Sequence, residues 1–160
     1  PAGCLRVADS QVASRWGNIC DFLDFDLITP NEREARFALG DQDSGVRPLA
    51  AHLFEAARCR HLLMKLGARG IFGVGPPGAG GLDQSFVLES FAGTAVDPVG
   101  AGDAFLAYAS LALLARPGCL ATAAILGSLA AGAECERDGN IPITPENVLV
   151  KIDEAEREVR

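Results

Sequence analysis

The chain has 160 residues, of which 49% are hydrophobic and 22% charged, and its formal net charge is -7 at pH 7. This composition is typical of a globular protein with a sizeable core and argues against an intrinsically disordered chain. The acidic balance argues against sequence-independent binding to nucleic acid and against electrostatic docking on anionic lipid, because both need a basic surface. The apolar runs are too short to cross a bilayer.

Cysteine and histidine usage bears on the compartment and on metal binding. The five cysteines are odd in number and none has C-x-x-C spacing, which is typical of free thiols in a reducing cytosol. Two histidines without a cysteine pair argue against a zinc site. We therefore expect a cytoplasmic protein without structural zinc.

The first half of the chain alternates short apolar runs with helical patterns. Two of these runs predict strands, at residues 5–8 and 25–29. The mixed segment between them, which includes Trp16, is compatible with a helix. Asn31 is predicted to begin a helix that reaches Leu39, because Asn is a preferred N-cap and Glu34 has capping-box spacing. Apolar spacing predicts a second helix from Val46 to Ala57.

In the second half, further strands are predicted before a helical C-terminal region. The strands lie at residues 61–66, 71–74 and 86–88. Gly67-Ala68-Arg69-Gly70 joins the first two and is typical of a hairpin, whereas residues 75–81 predict a loop rich in Gly and Pro. Helices are predicted at residues 101–114, 120–132 and 145–159. The first two are rich in Ala and Leu and should be heavily buried, and the last is amphipathic with Thr144 as its N-cap.

This order of elements predicts the fold class and the place of a ligand site. Alternating strands and helices indicate a single three-layer α/β/α domain, with a mostly parallel sheet and an antiparallel edge hairpin. In such sheets ligands bind beyond the carboxyl ends of the strands. Asn31 with Glu34, then Gly67, and then the turn at residues 100–102 each follow a predicted strand. We therefore expect them to meet at one edge of the sheet.

The most informative stretch is Asp97-Pro98-Val99-Gly100-Ala101-Gly102-Asp103-Ala104-Phe105. Its glycines leave backbone N–H groups uncovered, and the helix start adds unpaired donors and the positive end of the helix dipole, so a phosphate can bind there. Asp103, held beside such a phosphate, is placed to accept the proton of an attacking hydroxyl. The alternative is a first-turn acid that only offsets the dipole, worth about 0.3–1 kcal/mol.

Two other nucleotide-binding motifs do not account for the chain. Gly73-Val74-Gly75-Pro76-Pro77-Gly78 fits G-x-G-x-x-G, but a dinucleotide site requires a helix directly after it, and here a further loop and a strand follow. The pattern G-x-x-x-x-G-K-S/T is absent from the sequence, which argues against a P-loop kinase.

Three stretches, in this order, resemble the motifs of one kinase family. The stretch at residues 97–105 resembles the C-terminal signature of the ribokinase-like (phosphofructokinase-B type) carbohydrate kinases. Thr29-Pro30-Asn31-Glu32-Arg33-Glu34 matches the N-x-x-E motif of that family, and Lys65-Leu66-Gly67-Ala68-Arg69-Gly70 matches its strand-turn-strand near the nucleotide. Three ordered matches are far more specific than any one of them.

The resemblance implies ATP-dependent phosphoryl transfer to a hydroxyl of a sugar or sugar phosphate, with ATP and Mg²⁺ as cofactors. Asp103 would be the catalytic base. The backbone of Gly100, Ala101 and Gly102 would bind the charge that develops on the γ-phosphoryl group.

The resemblance also implies positions for Mg²⁺ and for the nucleotide. Asn31 and Glu34 would order Mg²⁺ and its waters, although a capping box alone explains the same pair. Asp97 would lie near the nucleotide phosphates and a monovalent cation; the alternative is that it only forms a turn. Nucleotide contacts from the hairpin turn and from the segment that walls the adenine would be Lys65, Gly67, Gly70, Ala133, Gly139 and Asn140. The alternatives are a solvated strand end for Lys65, turn residues for the two glycines, and close helix packing for the adenine segment.

Length limits what the resemblance implies. Kinases of this family are about twice as long, as fits a large domain, and the matched motifs belong to their second half. We therefore expect a C-terminal portion without the N-terminal substrate-binding and lid half, and a homodimer is compatible with the family. A nucleoside or vitamin kinase on the same scaffold is the nearest alternative. A non-catalytic nucleotide-binding or interaction module is the alternative from another class.

Overall fold

A five-stranded mixed sheet forms the centre of the computed structural model, which describes residues 3–10, 18–76, 85–93, 96–139 and 141–158. Its strands, in spatial as in chain order, are β1 (Val7–Ala8), β2 (Leu27–Ile28), β3 (Leu62–Lys65), β4 (Ile71–Val74) and β5 (Ser85–Leu88). The first three pair in parallel, whereas β4 pairs antiparallel with both β3 and β5. Only β4 therefore runs against the other described strands. The predicted sheet is confirmed, with β5 extending the hairpin.

The helices of the described ranges lie between and after these strands. They are α1 (Glu32–Leu39), α2 (Val46–Ala57), α3 (Ala101–Ala115), α4 (Leu120–Cys135) and α5 (Pro145–Glu158). Helix α1 begins after Asn31 and ends at Gly40, whose left-handed conformation (φ 66°) lets its N–H donate to the carbonyl oxygen of Arg36. The predicted bounds of α1 and α2 are confirmed.

Alternate residues of β3 face opposite layers of helices. Leu62 and Met64 belong to the core that residues of α1 and α2 complete, whereas Leu63 belongs to the core that α3 and α4 complete. Each of these three side chains has 0% exposure. Because successive side chains of a strand point to opposite faces of the sheet, helices cover both faces. The predicted three-layer α/β/α architecture is confirmed.

The two helices rich in Ala and Leu differ in burial, contrary to expectation. Helix α4 packs against α3, α5 and β4, so most of it is enclosed. Gly127 permits the contact with α3, because a Cβ there would lie 2.9 Å from the carbonyl oxygen of Phe105. Helix α3 leaves Leu111 and Leu114 56% and 59% exposed. Apolar composition therefore indicated burial correctly for α4 but not for the outer face of α3.

The link from β5 to α3 is irregular in its described residues. Residues 89–93 and 96–100 form no strand. The N–H groups of Val96 and Asp97 instead donate to the carbonyl oxygen of Cys135, at 2.7 and 3.0 Å. The end of α4 therefore helps to position the start of α3.

Some predictions fall outside the described residues. They concern the segment through Trp16 (residues 11–17) and residues 77–81 of the predicted Gly/Pro-rich loop. None of the helices in the described ranges has both the length and the apolar character of a transmembrane helix.

Candidate active site

A cavity of about 340 Å³ lies between the start of α3, the β3–β4 turn and α4. Ala101 and Gly102 line it from α3, and Gly67 and Gly70 line it from the turn. The far side consists of small side chains of α4, namely Ser128, Ala131, Gly132 and Cys135. The strand-turn-strand motif and the glycine-rich helix start therefore share one concavity.

The start of α3 presents backbone donors without a capping side chain. Gly100 is in the left-handed conformation that favours glycine (φ 87°), and no side chain caps the helix. The first i to i−4 hydrogen bond joins the N–H of Ala104 to the carbonyl oxygen of Gly100 at 2.9 Å. The amides of Gly102 and Asp103 precede that bond, which is the arrangement that binds anions at helix starts. We call residues 100–103 the cradle.

Asp103 lies in the cradle but not on the cavity wall. Its side chain is exposed in the first turn of α3, and Gly102 beside it lines the cavity whereas Asp103 does not. The carboxyl group is therefore accessible to solvent, one residue after the cavity-lining Gly102. Its role as a base stays a prediction.

An ion pair between Lys65 and Asp9 lies against the cradle. Lys65 Nζ is 2.5 Å from Asp9 Oδ2, and the two side chains are 18% and 20% exposed. A Cβ built on Gly102 would lie 3.3 Å from Lys65 Nζ and 3.6 Å from Asp9 Oδ2. The ammonium group of Lys65 is thus within reach of a phosphate in the cradle. Asp9 follows β1 directly, at the carboxyl edge of the parallel strands, and belongs to no motif quoted above.

Asn31 and Glu34 form a capping box at the start of α1. The N–H of Glu34 donates to Asn31 Oδ1 at 2.8 Å, and the N–H of Asn31 donates to Glu34 Oε2 at 2.7 Å. A bridge also pairs Asn31 with Lys65, and the N–H of Lys65 donates to the carbonyl oxygen of Pro30 at 2.8 Å. The capping interpretation is confirmed, and the N-x-x-E motif lies next to the strand-turn-strand motif.

Burial dominates the electrostatics of Glu34. The residue is 6% exposed, and desolvation raises the pKa of its carboxyl group, while the N–H of Asn31 and the charge of Lys65 act in the opposite direction. The ionised carboxylate would therefore be stabilised by an added cation. Within the described ranges, no three His, Cys, Asp or Glu side chains cluster as a metal site. Mg²⁺ usually needs only one or two carboxylates, together with waters and substrate phosphates.

Glu34→Gln is expected to leave the protein at least as stable at neutral pH. Gln can occupy the same capping box and has no charge to desolvate. Because the pKa of Glu34 is raised on folding, its favourable contribution is present while the group is protonated and is lost as the pH rises through the folded-state pKa. The variant should therefore lose less stability than the original as the pH rises from about 4 to 8, measured by urea unfolding.

Glu34→Ala is the control for this prediction. It removes the hydrogen bond to the N–H of Asn31 as well as the charge, and should be less stable than Glu34→Gln at every pH. Parallel pH profiles for the original protein and Glu34→Gln would contradict the assigned effect of burial.

The other predicted nucleotide contacts that the structure describes do not line the cavity. Asp97 lies before the cradle, where its Oδ1 accepts from the N–H of Val99 at 2.9 Å, as a turn residue does. Ala133 is buried and Gly139 is exposed, and neither lines the cavity. Asn140 lies outside the described residues. Ser128, which no motif includes, lines the cavity from α4.

A model of the pfkB family of carbohydrate kinases matches residues 5–147. The match includes all three motifs and most of the sheet and helices. The chain belongs to the pfkB family of carbohydrate kinases. Among curated proteins, no significant sequence match was found.

Solved structures of kinases share the fold of this pfkB-family chain. Phosphofructokinase-2 from Escherichia coli, in complex with potassium, matches with a TM-score of 0.76 at 18% identity, over 94% of this chain and 47% of that one. Ribokinase from Giardia lamblia gives 0.72 at 24% identity, over 96% and 50%. A ribokinase-family nucleoside kinase from Methanocaldococcus jannaschii gives 0.59 at 19% identity, over 81% and 40%. The chain spans about half the length of these kinases.

Proposed function

We propose that this chain carries the nucleotide-binding and catalytic-base half of a cytoplasmic, ATP-dependent kinase that phosphorylates a hydroxyl of a sugar or sugar phosphate. The observation that supports this most strongly is the shared cavity, in which the uncapped start of α3 faces Lys65 and the β3–β4 turn. Family membership supports the reaction class, because the family is one of carbohydrate kinases.

The proposed reaction moves the γ-phosphoryl group of ATP to the acceptor hydroxyl. The backbone N–H groups of Gly100 and Gly102 bind the negative charge that develops on the phosphoryl oxygens, whereas the N–H of Ala101, predicted to do the same, already donates to the carbonyl oxygen of Pro98 at 3.3 Å. Asp103 accepts the hydroxyl proton as the new bond to phosphorus forms and the bond to the β-phosphate oxygen breaks. The products are ADP and the phosphorylated acceptor.

Cations would assist this reaction at two places. Mg²⁺, when bound, neutralises charge on the transferred phosphoryl group. Asn31 and Glu34 would hold it through oxygen lone pairs that the capping box leaves free, and the buried carboxylate of Glu34 suits such a hard cation. Asp97 would hold a monovalent cation, which the potassium complex of a similar kinase supports.

Ser128 would supply a hydrogen-bonding group to the nucleotide inside the cavity. The residue is 7% exposed, and its Oγ has no partner among the described residues. A buried hydroxyl without a partner costs free energy that a ligand can recover. Ser128→Ala is therefore expected to raise the free energy of unfolding by up to about 1 kcal/mol and to weaken ATP binding roughly 3- to 10-fold. Urea unfolding and isothermal titration measure the two effects.

Ser110→Ala on α3 is the matched control. The Oγ of Ser110 donates to the carbonyl oxygen of Leu106 at 2.6 Å, so this hydroxyl already has a partner. The control should not change ATP binding. A Ser128→Ala protein with unaltered affinity would remove Ser128 from the proposed nucleotide site.

A nucleoside acceptor is the second candidate, and the structural likeness to an archaeal nucleoside kinase favours it over a vitamin. The deciding experiment incubates the complete protein with ATP, Mg²⁺ and a panel of sugars, sugar phosphates, nucleosides and vitamins, and measures ADP release. Turnover confined to one class identifies the acceptor. ATP binding without any turnover would favour the non-catalytic module, and light scattering on the same sample would test the homodimer.

A further inference from the structure

The ion pair at the cradle contains a charge of the wrong sign for a phosphate site. Asp9 Oδ2 lies almost as near to the Cβ position of Gly102 as Lys65 Nζ does, at 3.6 against 3.3 Å. We propose that Asp9 competes with the terminal phosphate of the nucleotide for the ammonium group of Lys65, and thereby sets the affinity of the cradle for polyphosphate. This inference rests on the proposed function.

The two partners differ in their freedom to move. Asp9 is held by its own turn, because its Oδ1 accepts from the N–H of Ser10 at 2.9 Å. The backbone of Lys65 is fixed in β3, but its ammonium group ends a flexible chain of four methylene groups. Lys65 lines both the cavity and the groove beside Asn31, whereas Asp9 lines neither. A ligand would therefore move the lysine and leave the carboxylate in place.

Partial burial makes it costly for Lys65 to exchange the carboxylate of Asp9 for a phosphate. Both side chains are about four-fifths buried, so solvent and salt screen the pair less than they screen an exposed ion pair. When Lys65 turns to a phosphate, Asp9 keeps its charge in the same surroundings without a counter-ion, and that cost lowers the affinity. A ligand with more phosphate charge offsets the cost better. The pair would therefore favour a triphosphate over a monophosphate.

A separate observation indicates that the cavity beside this pair receives a ligand. The Oγ of Ser128 is buried in its wall without a partner in the described part of the chain. Lys65 and Ser128 thus line the same cavity from different elements, one from the sheet and one from α4. The ligand that fits has an anionic end and a polar group beyond it.

Asp9→Asn is the variant that tests the competition. Asn keeps the size of the side chain and an oxygen that can accept from the N–H of Ser10, and it removes only the charge. In the complete protein, isothermal titration should show roughly 3- to 10-fold tighter binding of inorganic tripolyphosphate and of a non-hydrolysable ATP analogue. Lys65→Met should weaken both. Asp24→Asn, which breaks an ion pair with Arg58 on another part of the surface, should change neither.

A spectroscopic measurement on the unsubstituted protein tests the competition even if Asp9→Asn fails to fold. Lys65 and Lys151 are the two lysines of the 160 residues, and loss of a signal in Lys65→Met assigns its Nζ resonance in ¹⁵N NMR. Tripolyphosphate should shift the Lys65 resonance, because its partner changes from carboxylate to phosphate, and should leave Lys151 unchanged.

The outcomes separate this inference from the proposed function. A folded Asp9→Asn protein with unchanged or weaker tripolyphosphate binding, or a Lys65 resonance that does not move, overturns the inference. If ATP binds normally in that case, the proposed function stands. If tripolyphosphate behaves as expected but the ATP analogue does not bind, the competition is supported and the assignment of ATP fails.

Discussion

Asp103→Asn is expected to lower kcat of the complete protein about 10²–10⁴-fold and to leave KM for ATP almost unchanged. Asn has the size and polarity to remain in the first turn of α3, but it cannot accept the proton of an attacking hydroxyl. Because Asp103 is exposed, little of the effect should come from lost stability. Steady-state kinetics with the acceptor found in the panel measure the change.

Glu146→Gln is the matched control, because Glu146 is also an exposed first-turn acid, in α5. Hydrogen bonding to the backbone lowers the pKa of Glu146, as expected of a carboxylate that only stabilises a helix start. This variant should keep its kcat. Equal turnover by Asp103→Asn and the original protein would reduce Asp103 to the same structural role.

Gly70→Ala is expected to destabilise the fold by about 3 kcal/mol or more. Gly70 combines φ 84° with ψ -133°, a conformation almost restricted to glycine. An added Cβ would also lie 2.0 Å from the carbonyl oxygen of Leu88. That oxygen belongs to the paired end of β5, opposite Ile71 of β4, so it cannot withdraw without loss of strand pairing. Urea unfolding followed by circular dichroism measures the loss.

Gly67→Ala, at the other end of the same turn, separates the effect of left-handed backbone strain from that of the clash with Leu88. Gly67 also has a positive φ, 61°, but no atom lies within 4 Å of its Cβ position. Its substitution should therefore cost only about 1–2 kcal/mol of left-handed strain. Similar losses for the two variants would show that the contact with Leu88 does not limit this turn.

Sequence patterns correctly predicted the secondary-structure elements that depend on residues close together in the chain. The capping box of Asn31 and Glu34 depends on residues three apart, and α1 begins there as expected. Alternating strand and helix patterns likewise predicted the three layers. The exposed face of α3 was not predictable, because Leu111 and Leu114 belong to the same apolar run as the buried Ala112 and Leu113.

The motifs that meet at the site could be predicted from the sequence, but the individual side chains that line it could not. Gly67, Gly70 and Gly102 line one cavity because strand order brings their elements together. Ala133 does not line it although Gly132 does, because neighbouring residues of a helix point about 100° apart. Asp9 and Lys65 are 56 positions apart in the chain, so only the folded sheet reveals their contact.

The proposed use of Asn31 and Glu34 as metal ligands, in addition to their capping box, has a consequence for dynamics. Helix α1 has eight residues, and helix ends open and close on their own. Each opening of its first turn parts the two side chains from the amides that hold them, and an ion shared by both would oppose that opening. Saturation with Mg²⁺ and ATP should therefore slow deuterium uptake at the start of α1, even when no acceptor is present.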